Sequence, residues 1–183
     1  MEKVCVFLAD GFEEGEALIP VDLLRRAGAE VTIASISASL CVQGAHGICV
    51  TADALAEGLP LEEYGMVVLP GGLRGTQNLS RSALVKQAAL AFARQGKWVA
   101  AICAAPGLLG GWGLLQGRRA TCYPSVEEKC TGAVLTGDEV CTDGNIITGR
   151  GLGAAIPFGL ALAGHIAGPA ESARIKEGIV YMH

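Results

Sequence analysis

Cys103 stands in VAAICAAPGLL, residues 99–109, between an apolar run of strand type and a run of helical type. Proline fits the first turn of a helix but not its interior, so Pro106 predicts a helix that begins near Cys103. A thiol placed there faces unpaired backbone N–H groups and the positive end of the helix dipole. Both favour the thiolate and draw its pKa toward roughly 3.5–7.5. The other cysteines lack this setting: Cys5 falls inside a strand, and Cys122, Cys130 and Cys141 read as small buried apolar residues. ADGFEEGEALIP, residues 9–20, places Glu13, Glu14 and Glu16 where another strand becomes a helix. Acids favour a helix N-terminus without doing any chemistry. The alternative is a carboxyl that meets the thiol from a neighbouring loop, keeps its proton longer because it is buried, and shuttles it. In LPGGLRG, residues 69–75, Gly71 and Gly72 follow a strand, where they either make a tight turn or aim backbone N–H groups at an oxyanion.

The elements that must position these residues alternate along the chain. Residues 3–9, 30–35, 66–70, 97–102 and 145–148 read as short apolar strands, and residues 40–51 as a hairpin at the sheet edge. Helical patterns cover EALIPVDLLRRAG, ending at Gly28, and SALVKQAALAFARQG, residues 82–96, ending at Gly96. Further short strands are expected over 120–142, then helices in GAAIPFGLALAGHIAG and PAESARIKEG. Strands and helices at this spacing predict an α/β fold, a mostly parallel sheet with helices on both faces and right-handed crossovers. Sites then fall in the loops at the carboxyl ends of strands. Four loops qualify: ADGFEEGE, PGGLRG, CAAPG and GRGLG.

Composition sets the outer bounds. The 183 residues fit one domain, 1–183, with a core of its own. A net charge of −4 and dispersed Lys and Arg argue against nucleic acid as a partner. Residues 98–115 and 151–170 are long and uncharged, but Pro and Gly interrupt both, so they read as buried elements and not membrane spans. The N-terminal apolar run is too short for a signal-peptide core, and the expectation is a cytoplasmic protein. Seven cysteines at irregular spacing, with no CxxC pair, predict the reduced state and no disulfide framework. His46, His165 and His183 do not cluster with cysteines at metal-ligand spacing, so no metal is expected. Gly149, Gly151 and Ala154 match GxGxxA, yet no second strand with a ribose-binding acid follows, and no phosphate-binding Walker loop is present.

EEGEALIPVDLLRRAG, VVLPGG, GTQNL, AAICAAP and GRGLGAAIPFGLAL, in this order and spacing, resemble the ThiJ/PfpI family in its Parkinson-disease protein deglycase branch. The resemblance runs nearly end to end. It implies a flavodoxin-like three-layer sandwich, related to class I glutamine amidotransferases, and a homodimer. It further implies a nucleophile at Cys103, a partner carboxyl at Glu16, and oxyanion contacts at the backbone of Gly72 and Ala104 with Gly71 adjoining. The implied activity is of glyoxalase III or deglycase type, converting small 2-oxoaldehydes such as methylglyoxal, or their adducts, to hydroxy acids without a cofactor.

Two positions depart from the family pattern. Tyr123 stands where some relatives place a histidine near the cysteine, and a tyrosine with a pKa of about 10 is a poor base near neutrality. His46 falls where some relatives carry an arginine from the partner subunit; as a residue of GAHG it reads equally well as a solvated turn residue. Glu13 and Arg26 are candidates for the dimer contact or the edge of the site. Ala104 replaces the histidine that follows the cysteine in protease-type members, which disfavours that branch. The same residues would also serve a non-catalytic oxidative-stress sensor or chaperone in which Cys103 is oxidised to a sulfinate held by Glu16.

Overall fold

Seven strands form one sheet in a computed structural model that describes residues 2–182. In chain order the elements are β1 (Lys3–Leu8), α1 (Glu14–Arg26), β2 (Glu30–Ser35), β3 (Cys41–Gln43), β4 (Cys49–Thr51), β5 (Ala54–Leu55), β6 (Met66–Leu69), α2 (Leu73–Arg81), α3 (Ala83–Arg94), β7 (Trp98–Ile102), α4 (Pro106–Gly111), β8 (Arg119–Ala120), β9 (Val134–Leu135), β10 (Val140–Asp143), β11 (Ile146–Gly149), α5 (Ala155–Ala167) and α6 (Pro169–Gly178). The sheet runs β10-β11-β7-β6-β1-β2-β5, and every pairing in it is parallel except β10 with β11.

Both faces of the sheet are covered, which is why its central strands are continuous apolar runs without polar alternation. Cys5 and Phe7 of β1 pack with Val85 and Phe92 of α3, while Val4, Val6 and Leu8 pack with Val21 and Leu24 of α1 and Phe158 of α5. Successive residues of one strand thus feed two separate cores, as the two-residue period of a strand requires. α1 stops at Gly28, whose φ of 79° allows the closing bonds Gly28 N–H to Arg25 O (3.0 Å) and Ala29 N–H to Leu24 O (3.1 Å). Ser82 caps α3 by accepting the Val85 N–H at 3.3 Å. The three-layer sandwich expected from the sequence is therefore the observed architecture. Among the described residues no helix is long and apolar enough to cross a membrane.

The structure corrects four local expectations. Residues 73–81 form α2, which takes up the end of the PGGLRG loop and a polar stretch beyond it; its mostly polar residues carry a helix that lies over the sheet through buried Gly75, Thr76 and Leu79. β3 and β4 pair with each other but form a sheet of their own, joined to the β1–α1 loop by a bridge between Phe12 and Gly44 and not to the edge of the main sheet. Cys41 and Cys49 are joined in a disulfide across that hairpin, against the expected reduced state. The antiparallel register sets Cys49 opposite Gln43, diagonal to Cys41, with 6.2 Å between the two Cα atoms, a proximity that spacing alone does not reveal. Finally, α4 begins at Pro106, three residues later than the position expected for Cys103.

Candidate active site

Four carboxyl-end loops converge as the parallel topology requires, those after β1, β6, β7 and β11. The first two interlock. Gly71 O accepts the Glu13 N–H at 3.0 Å, and Gly11 O accepts the Gly75 N–H at 3.0 Å. This close backbone approach dictates Gly72. Its φ is 87°, and a Cβ there would press into the backbone of Gly11, Phe12 and Glu13. Gly71 is required for a different reason: a Cβ at that position would collide with Glu16 Oε2 and Cys103 Cβ. The paired glycines thus leave the space that lets a carboxyl from α1 and a thiol from the β7 loop share one pocket.

Cys103 occupies a left-handed backbone conformation with φ of 64°. Such a conformation disfavours any residue with a Cβ, and it persists only where the surroundings enforce it. Here two bonds enforce it: the Cys103 N–H donates to Gly149 O of β11 at 2.9 Å, and its carbonyl accepts the Tyr123 N–H at 2.8 Å. The thiol is therefore held by a sharp strand-to-helix elbow and not by the first turn of α4. The expected depression of its pKa does not follow. Burial and the negative charge of Glu16 push the thiol up to about 12, against hydrogen bonds from the backbone of Gly72 and Ala104 that favour the thiolate.

Glu16 is the complementary half. It is 1 % exposed, its Oε2 has no hydrogen-bond partner, and burial raises its pKa to about 7, while the Cys103 thiol and the backbone N–H groups of Gly71 and Leu152 pull it back down. Near neutrality the pair readily releases one proton. With Glu16 neutral, its carboxylic acid donates toward sulfur and supports a thiolate; with Glu16 ionised, it is a base in reach of the thiol. The thiol is poised through its neighbour, not pre-ionised by a helix dipole.

The remaining candidates separate around this centre. The backbone of Gly72 and Ala104 bonds the thiol, and Gly71 lies against Cys103 Cβ. Tyr123 fixes the elbow through its backbone, while its ring is 47 % exposed beside Gly151. His46 belongs to a different constellation. Its N–H donates to Glu14 Oε1 at 2.7 Å, and its ring Nδ1 lies 2.9 Å from Glu14 Oε2 and 3.5 Å from Glu13 Oε2. Burial works against ionisation of Glu14, but these bonds overcome it and hold the carboxyl at about 2. Arg26 is not at the site edge: it pairs with Asp22 at 2.7 Å, ten residues along α1 from Glu16, about 15 Å by helical rise. Glu13, Glu14 and His46 bring metal-ligating atoms within 4.8 Å of one another, but both Glu14 oxygens already engage His46. His165 lies apart against Trp98, and His183 lies outside the described residues.

The sequence reading missed the pairing of Glu14 with His46 and a buried hydroxyl at Thr76. For the first no local signal existed, because His46 is 32 residues from Glu14 and reaches it only through the fold of the hairpin closed by Cys41 and Cys49. Thr76 carried no signal, because it lies in a polar stretch just past PGGLRG whose helical packing no local pattern encodes.

Comparison with known proteins agrees with this fold. The DJ-1/PfpI family model matches residues 2–164. The fruit-fly protein dj-1beta is 35 % identical over 181 residues, covering 98 % of this chain and 97 % of its own length. Protein DJ-1 homolog B of Arabidopsis thaliana is 37 % identical over 98 % of this chain; the chain spans only 41 % of that protein's length. A Pyrococcus abyssi protein named a deglycase is 33 % identical over 81 % of this chain and 89 % of its own. Among solved structures, oxidized Toxoplasma gondii DJ-1 superposes with a TM-score of 0.95 at 35 % identity, covering 100 % of both chains.

Proposed function

The chain belongs to the DJ-1/PfpI family, and on that premise we propose that it is a cofactor-independent thiol enzyme of glyoxalase III or deglycase type, acting on small 2-oxoaldehydes or their adducts. The observation that carries the reading is Glu16, a buried carboxyl held near pH 7 against the thiol of a strained elbow. A group with that pKa gives and takes protons with little penalty under physiological conditions.

With methylglyoxal, Cys103 sulfur bonds to the aldehyde carbon while Glu16 takes the thiol proton. The aldehyde oxygen gathers the negative charge, and the backbone N–H groups of Gly72 and Ala104 supply donors for it. Glu16 returns its proton to that oxygen, giving a hemithioacetal and regenerating the carboxylate. The carboxylate then removes the hydrogen from the former aldehyde carbon, and the proton is delivered to the adjacent carbon through an enediol. The resulting thioester is cleaved by water, which releases lactate and the thiol. The sum is methylglyoxal plus water to lactate, with no net oxidation and no cofactor.

The test is lactate formation by purified protein. Cys103→Ser is expected to fall to the uncatalysed background; a rate equal to wild type removes the reading. A second reading draws on the unpartnered Oε2 of Glu16, which suits a sulfinic acid oxygen. Two equivalents of peroxide would convert the thiol to the sulfinate and two waters. A protein that makes no lactate but gains two oxygens selectively at Cys103 supports that sensor role. As for assembly, the chain is proposed to act as a homodimer, which sedimentation in solution checks.

A further inference from the structure

Of the seven cysteines, five keep free thiols and are buried or half-buried, while the two exposed ones, Cys41 and Cys49, are joined to each other. The chemistry proposed for Cys103 leaves this disulfide without a role. It ties the start of β3 to the start of β4 and closes the short turn that carries His46.

Little besides that link holds the hairpin to itself. β3 and β4 have three residues each, and Val42 is the one buried residue of the six. Two strands this short are marginal on their own. The hydrogen bonds that dock them converge on one segment. Gln43 O accepts the Gly11 N–H at 2.7 Å, the Gln43 N–H donates to Asp10 Oδ1 at 2.9 Å, the Ala45 N–H donates to Phe12 O at 2.8 Å, and the His46 N–H donates to Glu14 Oε1. Residues 10–14 are the loop that locks onto Gly71 and Gly75 beside the thiol. Between the hairpin, this loop and the start of α2 lies a cavity of about 390 Å³, with Gln43, Gly44 and His46 on one side and Glu13 and Gly72 on the other. Gly72 also gives the Cys103 thiol a backbone hydrogen bond, so the hairpin walls a space that reaches the thiol's own donor.

We propose that the Cys41–Cys49 disulfide is a reducible control site: a dithiol reductant opens it, the hairpin loosens, and the Cys103 pocket opens on that side. A thiolate of the reductant attacks one of the two sulfurs, forming a mixed disulfide and releasing the other cysteine. The second thiol of the reductant then displaces the remaining cysteine. Both protein sulfurs take up the protons that the reductant gives up, and the reductant leaves as its own disulfide, so the sum is one protein disulfide and one dithiol to two protein thiols and one reductant disulfide. β3 and β4 are not strands of the main sheet, so the opening is local. The inference needs only an accessible Cys103 thiol and not the 2-oxoaldehyde chemistry proposed above.

Folded protein treated with dithiothreitol and desalted should show two more titratable thiols than untreated protein. In hydrogen exchange the amides of Gln43, Gly44, Ala45 and His46 should then exchange about tenfold or more faster, the order expected when a link across so short a loop is removed, and the amides of Val6 and Val68 in the central strands should keep their rates. The double variant Cys41→Ser, Cys49→Ser should reproduce the faster exchange without reductant. In that variant iodoacetamide should alkylate Cys103 several-fold faster than in untreated wild type, read by peptide mass. The control site is overturned by a thiol count that does not rise, by hairpin amides that keep their rates, or by equal alkylation of Cys103 in the two proteins. Loosening that spreads to Val6 and Val68 also overturns it, because the link would then hold the whole fold and not the hairpin.

Discussion

Glu14 and Glu16 are two residues apart on the first turn of one helix, equally acidic in sequence and both buried, yet the protein holds them about five pH units apart, near 2 and near 7. Position relative to the helix dipole cannot separate them, because both share it. What separates them is the supply of donors. Glu14 points to the hairpin, where His46 engages both of its oxygens and Gly44 leaves room for them. Glu16 points to the sheet, where Gly71 leaves room, the bonds from the Gly71 and Leu152 backbone and the Cys103 thiol do not outweigh burial, and no donor reaches Oε2. One carboxyl is a structural anion that fastens a hairpin; the other is, in the proposed chemistry, the proton carrier. Burial alone would have made both of them weak acids.

The largest effect is expected from removing the carrier. Glu16→Gln keeps the shape and deletes the proton transfer, and should lower the rate of lactate formation about 10²–10⁴-fold, measured as kcat against wild type. Next comes pH. The folded-state pKa of Glu16 lies above its unfolded value, so the folded state binds the proton more tightly, and stability falls as pH rises from about 4.5 to about 7. The loss is about 3 kcal/mol from the size of that shift. Chemical denaturation across this window should show the decline in wild type and its absence in Glu16→Gln. Glu14 has the opposite sign: its contribution is present above its unfolded value of 4.5 and is lost as pH falls toward 2. Glu14→Ala should therefore destabilise the protein at pH 7 by about 1–3 kcal/mol, because the hairpin donors are left unpaired, and should loosen residues 41–51 in hydrogen exchange. The smallest effect is expected at Thr76. Removing a hydroxyl that has no partner should leave stability unchanged or raise it by about 1 kcal/mol in Thr76→Val, read from the thermal midpoint. A marked loss would mean that the hydroxyl is bonded in the folded protein.

The contrast also marks what a sequence makes legible. The strands β1, β2, β6, β7 and β11 and the helices α1, α3, α5 and α6 announced themselves through local patterns: apolar runs, a serine before α3, Gly28 and Gly96 at helix ends. The gathering of Cys103, Glu16 and the paired glycines followed from a topological rule applied to those strands. What stayed hidden depended on partners distant in sequence. Nothing local distinguishes Glu14 from Glu16; the choice is made by a hairpin some thirty residues away, whose register also brings Cys41 to Cys49. The helix α2 carries Gly75 and a polar majority and is held by its packing on the β1–α1 loop, a contact that propensity does not encode. The reading of Cys103 rested on a reason the structure replaces, since Pro106 opens the helix and the thiol sits before it.

The left-handed backbone at Cys103 has an evolutionary consequence. Glycine is the residue that adopts such a conformation without cost, while an L-residue pays about 1–2 kcal/mol for it. Glycine, however, has nothing to react. Backbone preference and chemistry therefore pull this position in opposite directions, and random mutation judged by backbone ease alone would drift toward erasing the thiol. A lineage that lost the need for the thiol should reveal it here first, by a glycine at the elbow while the glycines at 71 and 72 remain.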